Sequence, residues 1–196
     1  GGIVLSLERM NRILEIDTLD RVAVVEPGVI TNEVCNKVVE KGLMYAGYPM
    51  STHSSFIGGN VATNAGGGKV IRFGNTRRHI LGLEVVLPTG EVIALGGRYR
   101  KSTWGYNLLQ LMIGSEGTLG IFTKITVNLI SSSGKTIDLL VLFSDAPTAV
   151  NALSSLIVSH GVLPESVEYM DKLCIDHSAK HHEIQIPFLD NAKAEA

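Results

Sequence analysis

Sixteen of the 21 glycines in this chain lie between Gly42 and Gly120. Glycine loses more conformational freedom on folding than any other residue. A packed domain accepts that density only where the backbone must approach something closely or take a positive φ. The segment from 42 to 120 is therefore where a function is expected.

Composition bounds what that function can be. A length of 196 residues suits one large domain, or one domain with part of a second. With 45% hydrophobic and 18% charged residues, the chain can fill a sizeable core and is not disordered overall. The formal net charge is -2. The basic stretches Arg72 to Arg78 and Arg98 to Lys101 are short and read as surface charge, so no nucleic-acid partner is expected. Cys35 and Cys174 lack metal-ligand spacing and cannot form a disulfide framework, so no metal site is expected. Cys35, beside Val34, Val38 and Val39, reads as a buried small hydrophobe. No window reaches the ~18 apolar residues of a membrane span, so no transmembrane segment is expected. The cysteine usage fits a reducing compartment, which makes the expected location cytoplasmic, with peripheral attachment to a membrane left open. The opening Gly1-Gly2-Ile3-Val4-Leu5 shows neither an initiator methionine nor a leader and reads as the interior of a longer protein.

Local patterns predict the elements. Ile3 to Leu5 is a short apolar run and a candidate strand. Ile13 to Ile16 and Val22 to Val25 flank the polar segment Asp17 to Arg21 as a hairpin, closed by Pro27-Gly28. Thr31 to Lys41 has helical spacing at Val34, Val38 and Val39, with Thr31 as cap and Gly42 at the stop. Leu81 to Leu87 and Glu91 to Leu95 are strands joined by Pro88-Thr89-Gly90. Asn107 to Met112 is a helical turn, Gly117 to Gly120 a tight corner, and Ile121 to Ile130 a long β-branched strand. Ser131 to Lys135 is a polar link and the expected boundary between domains 1–130 and 131–196. Beyond it come a strand, Thr136 to Phe143, and a helix capped by Asp145 that reaches Ser159 with Pro147 in its first turn. A strand, Glu165 to Tyr169, a helix, Met170 to Lys180, and a weakly periodic tail from His181 to Ala196 complete an α+β chain.

The strongest chemical signal is Ile57-Gly58-Gly59-Asn60-Val61-Ala62-Thr63-Asn64-Ala65-Gly66-Gly67-Gly68. Two glycine clusters bracket small and amide residues. Backbone N–H groups in such a segment can converge on an anion, and Asn60, Thr63 and Asn64 add side-chain donors and acceptors. A dinucleotide, with its pyrophosphate and polar ring edge, would use both; sharp turns between packed strands are the alternative. This is not the Rossmann fingerprint, because no G-x-G-x-x-G leads from a strand into a helix. It is not a Walker A loop either, since Gly66-Gly67-Gly68-Lys69 is followed by Val70 rather than a hydroxyl residue. Two further stretches stand out: Tyr48-Pro49-Met50-Ser51-Thr52-His53-Ser54-Ser55, with four serine and threonine hydroxyls in its last five positions, and Gly114-Ser115-Glu116-Gly117-Thr118-Leu119-Gly120-Ile121. Glu116 has no histidine partner in view and reads as a loop-holding residue rather than a catalytic base.

Together these stretches resemble the FAD-linked oxidase family built on the vanillyl-alcohol-oxidase (PCMH) type of flavin domain, and within it the D-lactate dehydrogenase and glycolate oxidase D-subunit group. The match runs in order through Tyr48 to Ser51, Ile57 to Gly67, His79 to Val92, Lys101 to Leu108 and Gly114 to Ile121. It covers residues 1 to 130 closely and the remainder loosely. The resemblance implies a fold of two α+β subdomains lacking the family's N-terminal pyrophosphate loop and followed by the start of an α+β cap domain. It implies FAD as cofactor. Pro49, Met50, Ser51, Ser54 and Ser55 would line the flavin path, and Ile57, Gly58, Gly59, Asn60, Thr63, Asn64, Ala65, Gly66 and Gly67 would approach the flavin. Gly117, Gly120 and Ile121 would close over the dinucleotide with support from Glu116, and Pro27, Gly28 and Val29 would reach the adenine side. Tyr48 and Met50 replace smaller or acidic residues common in the family.

The activity implied by the resemblance is oxidation of a 2-hydroxy acid, D-lactate or glycolate-like, to the 2-oxo acid. The electrons would pass to a non-nicotinamide acceptor such as an iron-sulfur protein or an electron-transfer flavoprotein. The family's substrate residues come mainly from the cap domain and include a histidine-rich motif that His181-His182 does not match, so no catalytic residue is assigned. The alternatives are an alditol, phenol or enolpyruvyl-sugar chemistry on the same fold, or a flavin-binding subunit that only relays electrons.

Overall fold

A computed structural model describes residues 2–132 and 134–182 of the chain, which divides into two compact units, Gly1–Gly134 and Lys135–Ala196. The first unit runs β1 (Ile13–Asp17), β2 (Val22–Val25), α1 (Thr31–Val39), β3 (Leu43–Met44), α2 (Ile57–Thr63) and α3 (Val70–Phe73). A 3-10 turn at Thr76–His79 follows, then β4 (Ile80–Val86), β5 (Val92–Gly96), α4 (Leu108–Met112), β6 (Ile121–Asn128) and β7 (Ile130–Ser131). The second unit holds α5 (Ala146–Val158) and α6 (Lys172–His182). Among the described residues no helix is long and apolar enough to cross a membrane.

Five strands form one antiparallel sheet in the order β1-β2-β6-β4-β5. The inner strand β2 reads Val-Ala-Val-Val because all four residues are buried. The hairpin before it turns on Asp17, whose Oδ1 accepts from the N–H of Leu19 (2.8 Å) and of Asp20 (2.9 Å). Val34 and Val38 of α1 are wholly buried in the core with Ile57, Val61, Val85 and Ile125. Cys35 is half-buried beside that core, and desolvation pushes its thiol up to about 11. It behaves as the hydrophobe its neighbours suggested.

Five expectations are corrected. Ile3 to Leu5 forms no strand; the segment is exposed, and its continuation turns back at Leu7–Met10 so that the Met10 carbonyl accepts from Gly28. Thr31 does not cap α1, because Ile30 occupies that position and the Thr31 hydroxyl is engaged elsewhere. The long strand ends at Asn128. The Leu129 N–H turns to the Arg21 carbonyl, and Ile130 and Ser131 pair instead with Met44 and Leu43. Thr136 to Phe143 and Glu165 to Tyr169 form no strands: strand N–H and C=O groups need a partner edge, and no described residue pairs with either segment. The helices close their own bonds and do form. Asp145 caps α5 by accepting from Thr148 N–H at 2.8 Å, and Asp171 accepts from Cys174 N–H at 2.7 Å to start α6 at Lys172. Gly1, Ser133 in the polar link and residues 183–196 of the expected tail lie outside the described residues.

Candidate cofactor-binding site

Helix α2 is fixed at its start by main chain. Ile57 N–H donates to the Val29 carbonyl (2.9 Å) and Gly58 N–H to the Pro27 carbonyl (2.8 Å), so neither faces an incoming anion. Gly58 is needed for space, since a Cβ there would lie 2.6 Å from Pro27 Cβ. The preceding residue, Glu26, is buried and accepts from the Arg12 backbone N–H (2.8 Å) and guanidinium (2.7 Å). That guanidinium, with the Arg12 N–H, holds the Glu26 carboxyl below its ordinary range. On the inner face of α2, Asn60 is buried and donates from Nδ2 to Thr31 Oγ1 at 2.7 Å. The Thr31 hydroxyl donates to the Ser55 carbonyl, and the Ser55 hydroxyl stands 2.9 Å from it. A buried polar cluster thus ties the Ser51–Ser55 turn to α1 and α2, and each buried group in it finds a partner.

The other side of α2 is open. Gly59 is exposed, with nothing within 4 Å of the place a Cβ would take. Thr63 is exposed, and its hydroxyl donates back to the Gly59 carbonyl at 3.0 Å. Asn64 ends the helix at φ 51°, and Ala65 N–H returns to the Asn60 carbonyl at 2.9 Å. Gly66, Gly67 and Gly68 follow; among the described residues their N–H groups have no hydrogen-bond partner. A Cβ on Gly67 would lie 2.8 Å from the Tyr48 carbonyl oxygen and 3.1 Å from Met50 N, so this loop is laid directly on the Tyr48–Met50 backbone. There Pro49 is buried, while Met50, Ser51 and Ser54 are exposed.

The corner after α4 completes the surface. Gly114 N–H donates to the Val61 carbonyl (3.0 Å) and Glu116 N–H to the Ala62 carbonyl (2.8 Å). These bonds occupy acceptors that a helix end leaves open. Glu116, at φ 52°, therefore supports the corner through its main chain. Gly117 takes φ +76° with open space around it, whereas Gly120 is buried against Val85, seating the start of β6 and the exposed Ile121.

Tyr48–Met50 thus meets Gly67, and Asn64 meets the corner at Gly114. Ser55, Ile57, Gly58, Asn60 and Gly120 serve the packing beneath this surface. Four participants were not expected: Thr31, Thr76, Arg77 and His79. Thr76 Oγ1 bonds the Gly47 (3.0 Å) and Ala65 (2.8 Å) carbonyls. Arg77, assigned above to surface charge, has its guanidinium on main-chain carbonyls. Only their place after the second glycine cluster could have flagged Thr76, Arg77 and His79, and no local signal marked Thr31 for this role.

A dinucleotide ring edge or pyrophosphate needs main-chain donors reached without side-chain obstruction. Gly59 and Gly117 stand in open space, and the Gly66–Gly68 N–H groups have no partner among the described residues, so the residues fit FAD. Residues 1–96 match the family described as the FAD binding domain. Fold and match together define an FAD-binding domain of the vanillyl-alcohol-oxidase type, mixed α+β with two subdomains, whose cofactor is FAD. Over most of its length the chain is similar to FAD-linked oxidoreductases. It is 43% identical over 171 residues to an uncharacterized FAD-linked oxidoreductase of Mycobacterium tuberculosis, covering 87% of this chain and 37% of that one. It is 41% identical over 183 residues to glycolate oxidase subunit GlcD of Bacillus subtilis, covering 92% of this chain and 39% of that one. A solved alkyldihydroxyacetonephosphate synthase superposes with TM-score 0.65 at 27% identity, over 81% of this chain and 28% of that one. The chain therefore spans under two fifths of the length of these relatives.

Proposed function

We propose that this chain is the flavin-holding part of an enzyme that oxidises a 2-hydroxy acid of the D-lactate or glycolate type to the 2-oxo acid and passes the electrons to a non-nicotinamide acceptor. The observation that carries this reading is a glycine surface with open space at Gly59 and Gly117 and, among the described residues, no partner for the Gly66–Gly68 N–H groups, in a chain similar to a glycolate oxidase subunit over 92% of its length. When bound, FAD supplies the two-electron chemistry, and the protein binds, orients and shields it. In this reading Pro49, Met50, Ser51, Ser54, Gly59, Thr63, Asn64, Ala65, Gly66, Gly67, Gly117 and Ile121 border the cofactor, while Ser55, Ile57, Gly58, Asn60, Glu116 and Gly120 hold those residues in place. Residues 1–130 would hold the flavin, and residues 131–196 would begin the substrate-covering domain. The electron acceptor would be an iron-sulfur protein or an electron-transfer flavoprotein.

The fold also supports a synthase, to which the solved structure above belongs, so fold alone does not select the reaction. Anaerobic addition of D-lactate or glycolate to the FAD-loaded full-length protein is expected to bleach the long-wavelength flavin band. A bound flavin that none of a panel of 2-hydroxy acids reduces, while an alditol or phenol does, would overturn the substrate class.

A further inference from the structure

We propose that Arg77 is a positioning residue for the cofactor: its guanidinium staples the Gly114–Gly120 corner to the end of α2, fixing the two glycine surfaces that face FAD. This rests on the FAD site described above but not on any substrate.

Three segments remote in sequence meet at Arg77. Its backbone N–H donates to Asn64 Oδ1 at 2.9 Å, which joins it to the residue that ends α2. Its guanidinium donates to the main-chain carbonyls of Gln110 and Ile113 and stands 3.3 Å from Gln110 Oε1. Those carbonyls lie at the end of α4, where a helix leaves acceptors unfilled. The corner begins one residue later: a Cβ on Gly114 would lie 3.2 Å from Arg77 Nη2 and 3.3 Å from Asn64 Cβ. Thr76 pins the same turn to the Gly47 and Ala65 carbonyls, so the arginine is presented from a fixed base.

The choice of residue is informative. Among the described residues no carboxylate pairs with Arg77. A surface cation kept for charge alone would not be spent on two main-chain carbonyls. A planar fork with five donors can reach two carbonyls at once, and a lysine ammonium cannot match that geometry. Without the fork, the corner is held to α2 by the Gly114–Val61 and Glu116–Ala62 bonds. The sheet core does not include Arg77, so its loss should loosen the cofactor surface and leave the fold standing.

The test uses full-length apoprotein titrated with FAD, with flavin fluorescence as readout and far-ultraviolet circular dichroism and thermal unfolding as folding controls. Arg77→Lys and Arg77→Ala are each expected to weaken FAD binding by about tenfold or more, as fits the loss of two charge-assisted hydrogen bonds. The apoprotein unfolding midpoint should stay close to the parent's. Added guanidinium ion should restore part of the affinity of Arg77→Ala and leave the parent unaffected. Affinities within about twofold of the parent in both variants would overturn the proposal. So would a lysine variant that binds as the parent does, which would assign the effect to charge, or a loss that tracks unfolding and is not rescued. If the parent itself takes up no FAD, the cofactor reading falls first and this proposal with it.

Discussion

The two units use apolar residues in opposite ways. In Gly1–Gly134, Val22, Val25, Val34, Val85 and Ile125 are wholly buried. In Lys135–Ala196, Ile175 is the buried hydrophobe among the described residues, while Leu139 and Val158 remain 81% and 82% exposed. Helix α5 buries none of its residues. Local signals are equally good in both: Asp145 and Asp171 cap their helices as well as anything in the first unit. The difference lies in partners. A helix satisfies its own N–H and C=O groups, so a cap and a periodic sequence suffice to define it. A strand is completed only by another strand. The expected strands Thr136 to Phe143 and Glu165 to Tyr169 therefore fail where Val22 to Val25, set between β1 and β6, succeeds.

The sharpest way to break this contrast is a pair of truncations. Ile125 is buried between β2 and β4, paired with Val25 on one side and Leu83 on the other. Ile125→Ala should cost about 2–5 kcal/mol, the transfer energy of the lost atoms plus the cavity. Val158→Ala should stay within about 0.5 kcal/mol, because the side chain is already in water. Urea unfolding followed by circular dichroism reads both; equal losses would mean that the second unit is as tightly packed as the first. A glycine pair gives the next largest effect. Gly58→Ala gains helix propensity, yet its Cβ would meet Pro27 Cβ at 2.6 Å and the Pro27 carbonyl oxygen at 2.9 Å. Overpacking against that rigid turn should cost about 1–3 kcal/mol and lower FAD affinity with it. Gly134→Ala, with nothing within 4 Å, should be close to neutral. A stabilised Gly58→Ala would show that the Pro27 turn yields easily and that Gly58 is there for some other reason.

What was legible in the sequence follows the same division between local and remote causes. The β1–β2 hairpin, α1, the β4–β5 hairpin and the Asp145 cap depend on patterns a few residues long, and each was readable. The glycine clusters pointed to the surface proposed above for the cofactor, because glycine marks close approach whatever the partner. The partner itself is not local. Thr31 looks like a cap, being a hydroxyl residue at a helix start, but Asn60 and Ser55 claim its hydroxyl from 29 and 24 residues away. Arg77 looks like one more cation in a basic run, and only the return of the chain at residues 110–113 gives it acceptors. Gly58 and Gly59 are indistinguishable in sequence, yet one packs on Pro27 and the other faces open space.

The smallest effect separates the units by acidity. His79 is buried, its Nε2 3.0 Å from the Phe73 carbonyl oxygen, while Nδ1 has no partner among the described residues. Nε2–H therefore donates to Phe73, and Nδ1 is the site a proton would add to. The ring packs on Gly47 and edge-on to Tyr45, with Arg78 as the nearby cation. Desolvation lowers its pKa most; the Phe73 carbonyl raises it and Arg78 lowers it further, leaving a net depression from the ordinary 6.5. The folded state thus resists a proton that the unfolded chain accepts. Stability from this group is fully present above about pH 6.5 and is lost as pH falls from there through the folded value, with a slope no steeper than one proton can give. His79→Gln should flatten that part of the pH profile of urea unfolding, whereas His177→Gln, on the exposed face of α6, should leave it in place. An unchanged profile in His79→Gln would mean that another group sets the acid limit of the first unit.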